Sequence, residues 1–453
     1  MNRAALLKNI FLENLFRLIS SNCLLPYARS YFFVFLWISL YQHGISQDTK
    51  SQAGQNSERV SGWRSDIDTL LMQMKWRHYV YKSKPLPHQL LANATRLKKK
   101  IARYSDERML FEMEKLMFYM RDGHSYVLPT AGKIKSFFLP VQFYVFSDGT
   151  YIIDADGPYK DLIGCRVLSI NGVALSSMIH DMNHYVHQDN KYTVLWFAPT
   201  FLRYRGLYEM YGLPAGSTEI KIILKNQNKR MLSRNISFIP AGDLRGIPKL
   251  FPSKMATDKP APLYLSDVQD FYWFKLLPEW KTVYFQFNQV IDKEVAIDSF
   301  AVRLDTFLQT IKPRLFIIDV RHNNGGSLEY LPPLISVVKK FEKTNPNSRI
   351  IVITGRNTFS AAQVFISTIN KETHAIFAGE PSSSSPNFVG EEGNMFFLPY
   401  SGAMGNISTK FHESIPGDKR KWIEPRYKIS LSSQDYFNNL DPVMNYLLKK
   451  IVK

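Results

Sequence analysis

Two segments far apart in the sequence contain a histidine and a serine that could act together in acyl transfer. His124 lies in the run R-D-G-H-S, and an imidazole, which changes charge near neutral pH, is suited to act as a general base. Ser360 lies in the run T-F-S-A-A, where a predicted strand turns into a predicted helix. At that place the positive end of the helix dipole and the N–H of Ala361 favour a nucleophilic hydroxyl. The pair predicts a serine nucleophile activated by a histidine.

Both residues also have a simpler interpretation. A histidine in a turn often has only a structural role. Ser360 and Gln363 match the S-x-x-Q capping box, in which the hydroxyl satisfies backbone donors at the start of a helix. The residue types alone leave these alternatives open.

A third segment has the pattern D-x-R-x-N-x-G-G over residues 319–326, at the end of a predicted buried strand. Its adjacent glycines, Gly325 and Gly326, let backbone N–H groups approach a ligand closely, as an oxyanion hole requires. The alternative is an ordinary turn between a strand and a helix.

Composition excludes several classes of protein. The chain has 453 residues, of which 45% are hydrophobic, so it can form about three domains with real cores and is not a disordered, collagen-like or coiled-coil chain. Its 57 Lys and Arg against 39 Asp and Glu are scattered except at residues 96–100 and 419–421, which argues against a nucleic-acid partner. Two cysteines, Cys23 and Cys165, exclude a disulfide framework and a Cys-rich zinc site.

The N-terminus predicts export. Residues 31–41 form an uncharged apolar run that follows Arg29, and the small residues Gly44 and Ser46 suit a signal peptidase, with cleavage near Ser46. Residues 1–46 are therefore predicted to be a signal peptide or, if retained, a membrane anchor. The mature protein would be periplasmic or extracellular, and no integral membrane partner is evident.

Four regions are predicted after this segment. Residues 47–62 are polar and predict a linker, and residues 63–135 have helical periodicity. Residues 136–250 predict a β module with a helical insertion at 183–212, and the loop Leu162-Ile163-Gly164 before a short strand resembles the carboxylate-binding region of PDZ-like modules. Residues 263–453 alternate short apolar strands with helices, which predicts an α/β core.

The order of these motifs resembles the tail-specific (C-terminal-processing) serine peptidase family. The series is D-G-H at 122–124, the PDZ-like module, the glycine turn at 319–326, T-F-S-A-A at 358–362 and G-E-P at 379–381. The D-G-H motif is similar to the Ser-His branch that the tricorn peptidase exemplifies. The resemblance covers residues 63–450. It implies a Clp-protease/crotonase-like catalytic core, peptide or protein substrates, possible recognition of their C-termini, and neither a metal nor an organic cofactor.

The resemblance also implies roles for single residues. Ser360 is the nucleophile, His124 the general base, and the N–H groups of Ala361 and of Gly325 or Gly326 form the oxyanion hole. Glu424 is the candidate acid of the triad, with Glu413 and Asp418 as alternatives.

Three positions depart from the pattern of classical family members. Ser385 stands where they have a catalytic lysine, Gln363 where an acid is usual, and Pro425-Arg426 where they have P-D. The loss of the lysine favours the Ser-His mechanism. The sequence thus leaves two functions open, a serine peptidase or a catalytically inactive relative that binds a ligand or a peptide.

Overall fold

A computed structural model describes residues 52–129, 132–243, 253, 255, 259–292, 296–391 and 393–450. The predicted signal peptide or anchor at 1–46 lies outside the described residues. Within those ranges, no helix combines the length and the apolar composition that a membrane crossing needs.

The described part of the chain begins with a helical region, as its periodicity predicts. It contains α1 (Gln52–Arg77), α2 (His88–Lys100) and α3 (Asp106–Met117), followed by the short strands β1 (Tyr126–Val127) and β2 (Phe137–Phe138). The prediction of a linker over residues 47–62 was wrong for its second half, because α1 already includes it. Arg59 fixes this part of the helix: its Nε donates to Asp106 at 2.7 Å and its Nη1 to the carbonyl of Ile101 at 2.8 Å.

A β module follows. It contains β3 (Val141–Phe146), β4 (Gly149–Ala155), β5 (Arg166–Ile170), β6 (Val173–Ala174), α4 (Leu175–Met182), α5 (Lys191–Phe201), α6 (Arg205–Tyr208), β7 (Glu219–Lys225), β8 (Met231–Ser237) and β9 (Ile239–Pro240). The main sheet is antiparallel in the order β3-β4-β5-β7-β8, with β6 on β5, while β9 pairs with β2. Alternate side chains of these strands and the three helices form one hydrophobic core.

The C-terminal region is built around a six-stranded sheet. Its elements are α7 (Leu263–Ser266), β10 (Tyr272–Leu277), β11 (Thr282–Phe287), α8 (Ile297–Ile311), β12 (Leu315–Asp319), α9 (Leu331–Thr344), β13 (Arg349–Thr354), α10 (Ala361–Glu372), β14 (Ile376–Gly379), β15 (Asn387–Gly390), β16 (Met395–Phe397), β17 (Met404–Asn406), β18 (Lys410–Glu413), β19 (Tyr427–Lys428), α11 (Ser433–Phe437) and α12 (Pro442–Lys450). The sheet order is β10-β11-β12-β13-β14-β19, and only β10 is antiparallel to its neighbour.

Helices cover both faces of this sheet. Every residue of β11 and β12 is buried, since α8, α9 and α10 pack on one face and α12 on the other. Because the strands of such a sheet are buried on both faces, their sequences are largely apolar and do not alternate between apolar and polar residues. The carboxyl ends of β12 and β13 lead directly into the glycine turn and the T-F-S turn.

The helical region and the C-terminal region share a hydrophobic core. Strand β1 pairs with β17, which pairs with β16, and side chains of this small sheet pack against α1, α2 and α3. The predicted boundary at residue 135 therefore does not separate two independent cores. This packing places the D-G-H turn, which directly precedes β1, against a segment almost 300 residues later in the chain.

Candidate active site

Ser360 occupies a strained turn between β13 and α10. Its φ of 55° and ψ of −124° lie in a region that residues other than glycine rarely adopt. A conformation of this kind costs about 1–3 kcal/mol and persists only where the surrounding structure imposes it. The serine makes no helix-capping hydrogen bond with its side chain, and Gln363 bonds instead to Ser367 at 3.0 Å. The capping box is therefore not formed.

The T-F-S turn is held against the glycine turn by hydrogen bonds of the two residues before Ser360. Thr358 Oγ1 donates to the carbonyl of Val320 at 2.9 Å and accepts from the N–H of Gly355 at 3.1 Å. The N–H of Phe359 donates to the carbonyl of Asn323 at 3.1 Å. These contacts impose the unusual backbone angles of the serine.

The two adjacent glycines are required by close packing around Ser360. A Cβ on Gly325 would lie 2.6 Å from the Cβ of Ser360, and one on Gly326 would lie 2.0 Å from the carbonyl oxygen of Val290. The N–H of Gly325 donates to Asn323 Oδ1 at 3.0 Å. Among the described residues, the N–H groups of Gly326 and Ala361 have no acceptor. These two groups are the oxyanion donors that the geometry offers.

The charged residues of the glycine-turn motif form a buried ion network that anchors the end of β12. Arg321 pairs with Asp319 at 2.6 Å and with Asp441 at 2.7 Å, and its guanidinium lies 4.2 Å from the ring centre of Tyr264. The two carboxylates raise the pKa of Arg321, although burial opposes the shift. The role of these residues is to support the turn.

His124 lies against the turn that carries Ser360, sandwiched between two aromatic rings. Its ring centre is 4.2 Å from that of Phe359, the residue before Ser360, and 5.3 Å from that of Phe388 on β15. The side chain is only 2% exposed, and within the described ranges neither ring nitrogen has a hydrogen-bond partner. The structure thus brings His124 next to the Ser360 turn without a hydrogen bond between the two side chains.

Burial determines the charge of this histidine. It lowers the pKa of His124 to about 4, against the opposing effect of the Asp122 carboxylate. At neutral pH the imidazole is therefore uncharged, which is the form that can accept a proton.

Asp122 fixes the turn that presents His124. Its Oδ1 accepts the N–H of His124 at 2.9 Å and of Ser125 at 2.6 Å, while its Oδ2 lies 2.9 Å from His78 Nε2. The hydroxyl of Ser408 also donates to Oδ1, at 2.8 Å. The carboxylate is fully buried, and its negative charge acts on the imidazole through space rather than by a direct hydrogen bond. Sequence reasoning did not identify the partner His78.

The three candidate acids of the triad are engaged elsewhere. Glu424 accepts from Trp422 Nε1 at 2.6 Å and pairs with Lys428 at 2.6 Å. Glu413 accepts the N–H of Gly417 at 3.1 Å, and Asp418 pairs with Arg420 at 2.6 Å. None of the three is hydrogen-bonded to the His124 ring. The structure leaves Asp122 as the carboxylate that acts on the histidine.

The predicted carboxylate-binding loop of the β module is closed. The N–H of Ile163 donates to the carbonyl of Lys160, that of Gly164 to Ile152 and that of Cys165 to Leu162, at 3.3, 2.9 and 3.0 Å. A helical turn over Gly157–Leu162 draws these groups together. The expectation that they converge on a substrate carboxylate is not met, because capture would first have to break all three bonds.

No metal site accompanies these residues in the part of the chain that is described, where no three His, Cys, Asp or Glu side chains are grouped to bind an ion.

Comparison with known proteins identifies the fold. No family model and no curated protein matches the chain. The solved structure of mature CPAF complexed with lactacystin is similar with a TM-score of 0.61 and 13% identity, over 87% of this chain and 98% of that one. A structure of mature CPAF has a TM-score of 0.58 and 12% identity, over 87% and 97%. The photosystem II D1 C-terminal processing protease is also a neighbour, with a TM-score of 0.39 and 9% identity, over 86% and 97%.

The match to the two CPAF structures covers nearly the whole of those chains and 87% of this one. The described residues therefore share the CPAF fold. The predicted α/β class, with a helical region, a β module and a strand-and-helix core, is confirmed.

Proposed function

We propose that this protein is a serine peptidase in which Ser360 is the nucleophile and His124 the general base. The observation that carries the proposal is the convergence of three features at one point. A strained serine stands at the start of α10, the glycine turn packs so closely that a Cβ on Gly325 would lie 2.6 Å from that of Ser360, and a buried neutral imidazole packs on the adjacent Phe359.

The reaction that fits this arrangement is acyl transfer. Ser360 Oγ forms a bond to the carbonyl carbon of the scissile peptide while its proton passes to His124. The tetrahedral oxyanion accepts hydrogen bonds from Gly326 and Ala361, and collapse breaks the C–N bond as the imidazolium gives its proton to the leaving amine. Water, deprotonated in turn by His124, then hydrolyses the acyl-enzyme.

Two features of the histidine site fit its role as a base. The imidazole is kept neutral by burial, so it needs no prior deprotonation at physiological pH. Once it accepts a proton, the buried Asp122 carboxylate stabilises the resulting imidazolium through space. The Ser360–His124 hydrogen bond that the reaction needs is one that often forms only when substrate is bound.

The inactive alternative rests on the departures at Ser385, Gln363 and Arg426. Gln363 Nε2 donates to Ser367 Oγ, one turn further along α10. Ser385 Oγ donates to the carbonyl of Lys421 at 3.2 Å, and the Arg426 guanidinium lies over the ring of Tyr427. None of these contacts involves Ser360 or His124. The observed Ser-His arrangement does not depend on them, which favours an active enzyme.

The proposal is tested by labelling with a fluorophosphonate, a probe that reacts with activated serine nucleophiles. We expect wild-type protein to be labelled and Ser360→Ala and His124→Ala to be unlabelled or strongly reduced. Ser336→Ala, which alters an exposed serine on α9, is the matched control and should be labelled like the wild type. Lactacystin, which is bound by a protein of the same fold, is a suitable competitor of the probe. Equal labelling of wild type and Ser360→Ala would overturn the assignment.

We propose in addition that the protein is exported. The support is the apolar run at residues 31–41 after Arg29, with the small residues Gly44 and Ser46 after it. The peptide bonds that it cleaves would then belong to proteins outside the cytoplasm.

A further inference from the structure

Asp189 makes two hydrogen bonds that join separate parts of the active site. It lies half-buried just before α5, in the helical insertion of the β module. Its Oδ1 accepts the N–H of Gly123, the residue before His124, at 2.9 Å. Its Oδ2 accepts the hydroxyl hydrogen of Ser384 at 2.7 Å. A single carboxyl group from the module therefore contacts both the D-G-H turn and the serine-rich loop at 382–385.

The neighbours of Asp189 hold the same loop. Asn190 Nδ2 donates to the carbonyl of Ser382 at 3.2 Å and of Lys421 at 2.8 Å, and Thr193 Oγ1 donates to that of Ser383 at 2.7 Å. The N–H of Ser383 in turn donates to the carbonyl of Thr358, at 3.1 Å. A continuous chain of hydrogen bonds thus runs from the start of α5 through the loop to the turn that carries Ser360.

Gly123 is packed between Asp189 and the nucleophile turn. A Cβ on Gly123 would lie 2.8 Å from the ring of Phe359 and 3.6 Å from Asp189 Cγ. A displacement of Gly123 would therefore move both His124, to which it is bonded, and Phe359, which precedes Ser360.

We propose that Asp189 is a positioning residue that fixes the spacing between the general base His124 and the nucleophile Ser360. The inference rests on the proposed peptidase function. It gives the β module a role in catalysis, because the module supplies the side chain that aligns two turns belonging to other parts of the fold.

The role depends on the position of the carboxyl oxygen rather than on its charge. Burial raises the pKa of Asp189 to about 7, although the bonds from Ser384 and Gly123 and the charge of Lys421 oppose the shift. The carboxyl group is therefore partly protonated at neutral pH, and in either form its Oδ1 accepts from Gly123. An asparagine has the same shape as a protonated aspartate and keeps this acceptor.

The experiment measures the rate of fluorophosphonate labelling, separated into the maximal rate kinact and the probe affinity KI. In Asp189→Ala we expect kinact to fall about 10- to 100-fold with KI unchanged, since misalignment of a catalytic group by about 1 Å costs rates of this order. Asp189→Glu keeps the carboxyl group but shifts the acceptor by one methylene, and kinact should again fall at least tenfold. Asp189→Asn should stay within threefold of the wild type.

Ser385→Ala is the matched control, because it removes a side-chain bond of the same loop, to the carbonyl of Lys421, without touching Gly123 or the turn that carries Ser360. Its kinact should stay within threefold of wild type. Thermal unfolding is measured for every variant to show that it is folded. If Asp189→Ala does not fold, the comparison of Asp189→Glu with Asp189→Asn tests the positioning role. Wild-type kinact in folded Asp189→Glu, or a loss in folded Asp189→Asn equal to that in Asp189→Glu, would overturn the inference. Absence of labelling in wild-type protein would instead refute the proposed function.

Discussion

The depressed pKa of His124 predicts that the stability of the protein depends on pH in a specific window. The folded-state pKa is about 4, whereas an exposed histidine in the unfolded chain titrates near 6.5. Between these values the unfolded state binds the proton more tightly than the folded state does. Lowering the pH from 6.5 towards 4 therefore removes stability.

The size of the effect follows from the difference between the two pKa values. Each pKa unit corresponds to about 1.4 kcal/mol, so the full shift corresponds to about 3.5 kcal/mol, of which about 2–3 kcal/mol is lost between pH 7.5 and pH 4.5. Replacement of His124 by leucine removes the titrating group and leaves an apolar side chain between Phe359 and Phe388. We expect the variant to lose about 2–3 kcal/mol less than the wild type over this range.

The assay is urea denaturation at pH 7.5 and at pH 4.5, followed by tryptophan fluorescence. Other groups also titrate in this range, so the quantity of interest is the difference between wild type and His124→Leu, in which their contributions cancel. Labelling of wild-type protein by a fluorophosphonate should show the same low pKa, with the rate falling only as the pH approaches 4. An equal loss of stability in both proteins, together with a labelling inflection near pH 6.5, would refute the argument from burial.

Three further predictions follow from the backbone around the site and from the N-terminus. Ser360→Gly should be more stable than Ser360→Ala by about 1 kcal/mol in urea denaturation. Glycine relieves about 1–3 kcal/mol of backbone strain, but part of this gain is offset because glycine loses more conformational entropy on folding. Equal stabilities of the two variants would contradict the presence of strain. Gly325→Ala should lose probe labelling, since its Cβ would lie 2.6 Å from that of Ser360, whereas Gly172→Ala, at a similarly positive φ with open space around it, should lose stability but retain labelling. Protein from a secreting host should have the intact mass of a chain that starts near Gln47, and a full-length species in the membrane fraction would support the anchor instead.

The sequence predicted those parts of the fold that depend on local patterns. Short apolar runs alternating with helical patterns predicted the buried strands β11 to β14 of the α/β core. The start of α1 was missed, because a polar segment becomes helical here only through Arg59, whose partners are more than 40 residues away. A local pattern contains no signal for such a contact.

The candidate site was predictable to the extent that its residues lie in recognisable motifs. Ser360, His124 and the two glycines lie in such motifs, and the structure brings Gly325 and His124 to the turn that carries Ser360. His78 and Asp189 were not identified, because neither lies near a motif and each acts only through a tertiary hydrogen bond. The closed loop at Leu162–Gly164 was missed for the same reason, since the sequence shows a glycine but not which carbonyls its neighbours face.

The most direct test of the central claim is to identify the labelled residue. Wild-type protein is treated with a fluorophosphonate, digested and analysed by mass spectrometry. We predict one adduct, on the peptide that contains Ser360. His124→Ala treated for the same time should lack this adduct. An adduct on another serine, or no adduct on folded wild-type protein, would contradict the assignment of Ser360 as a nucleophile activated by His124.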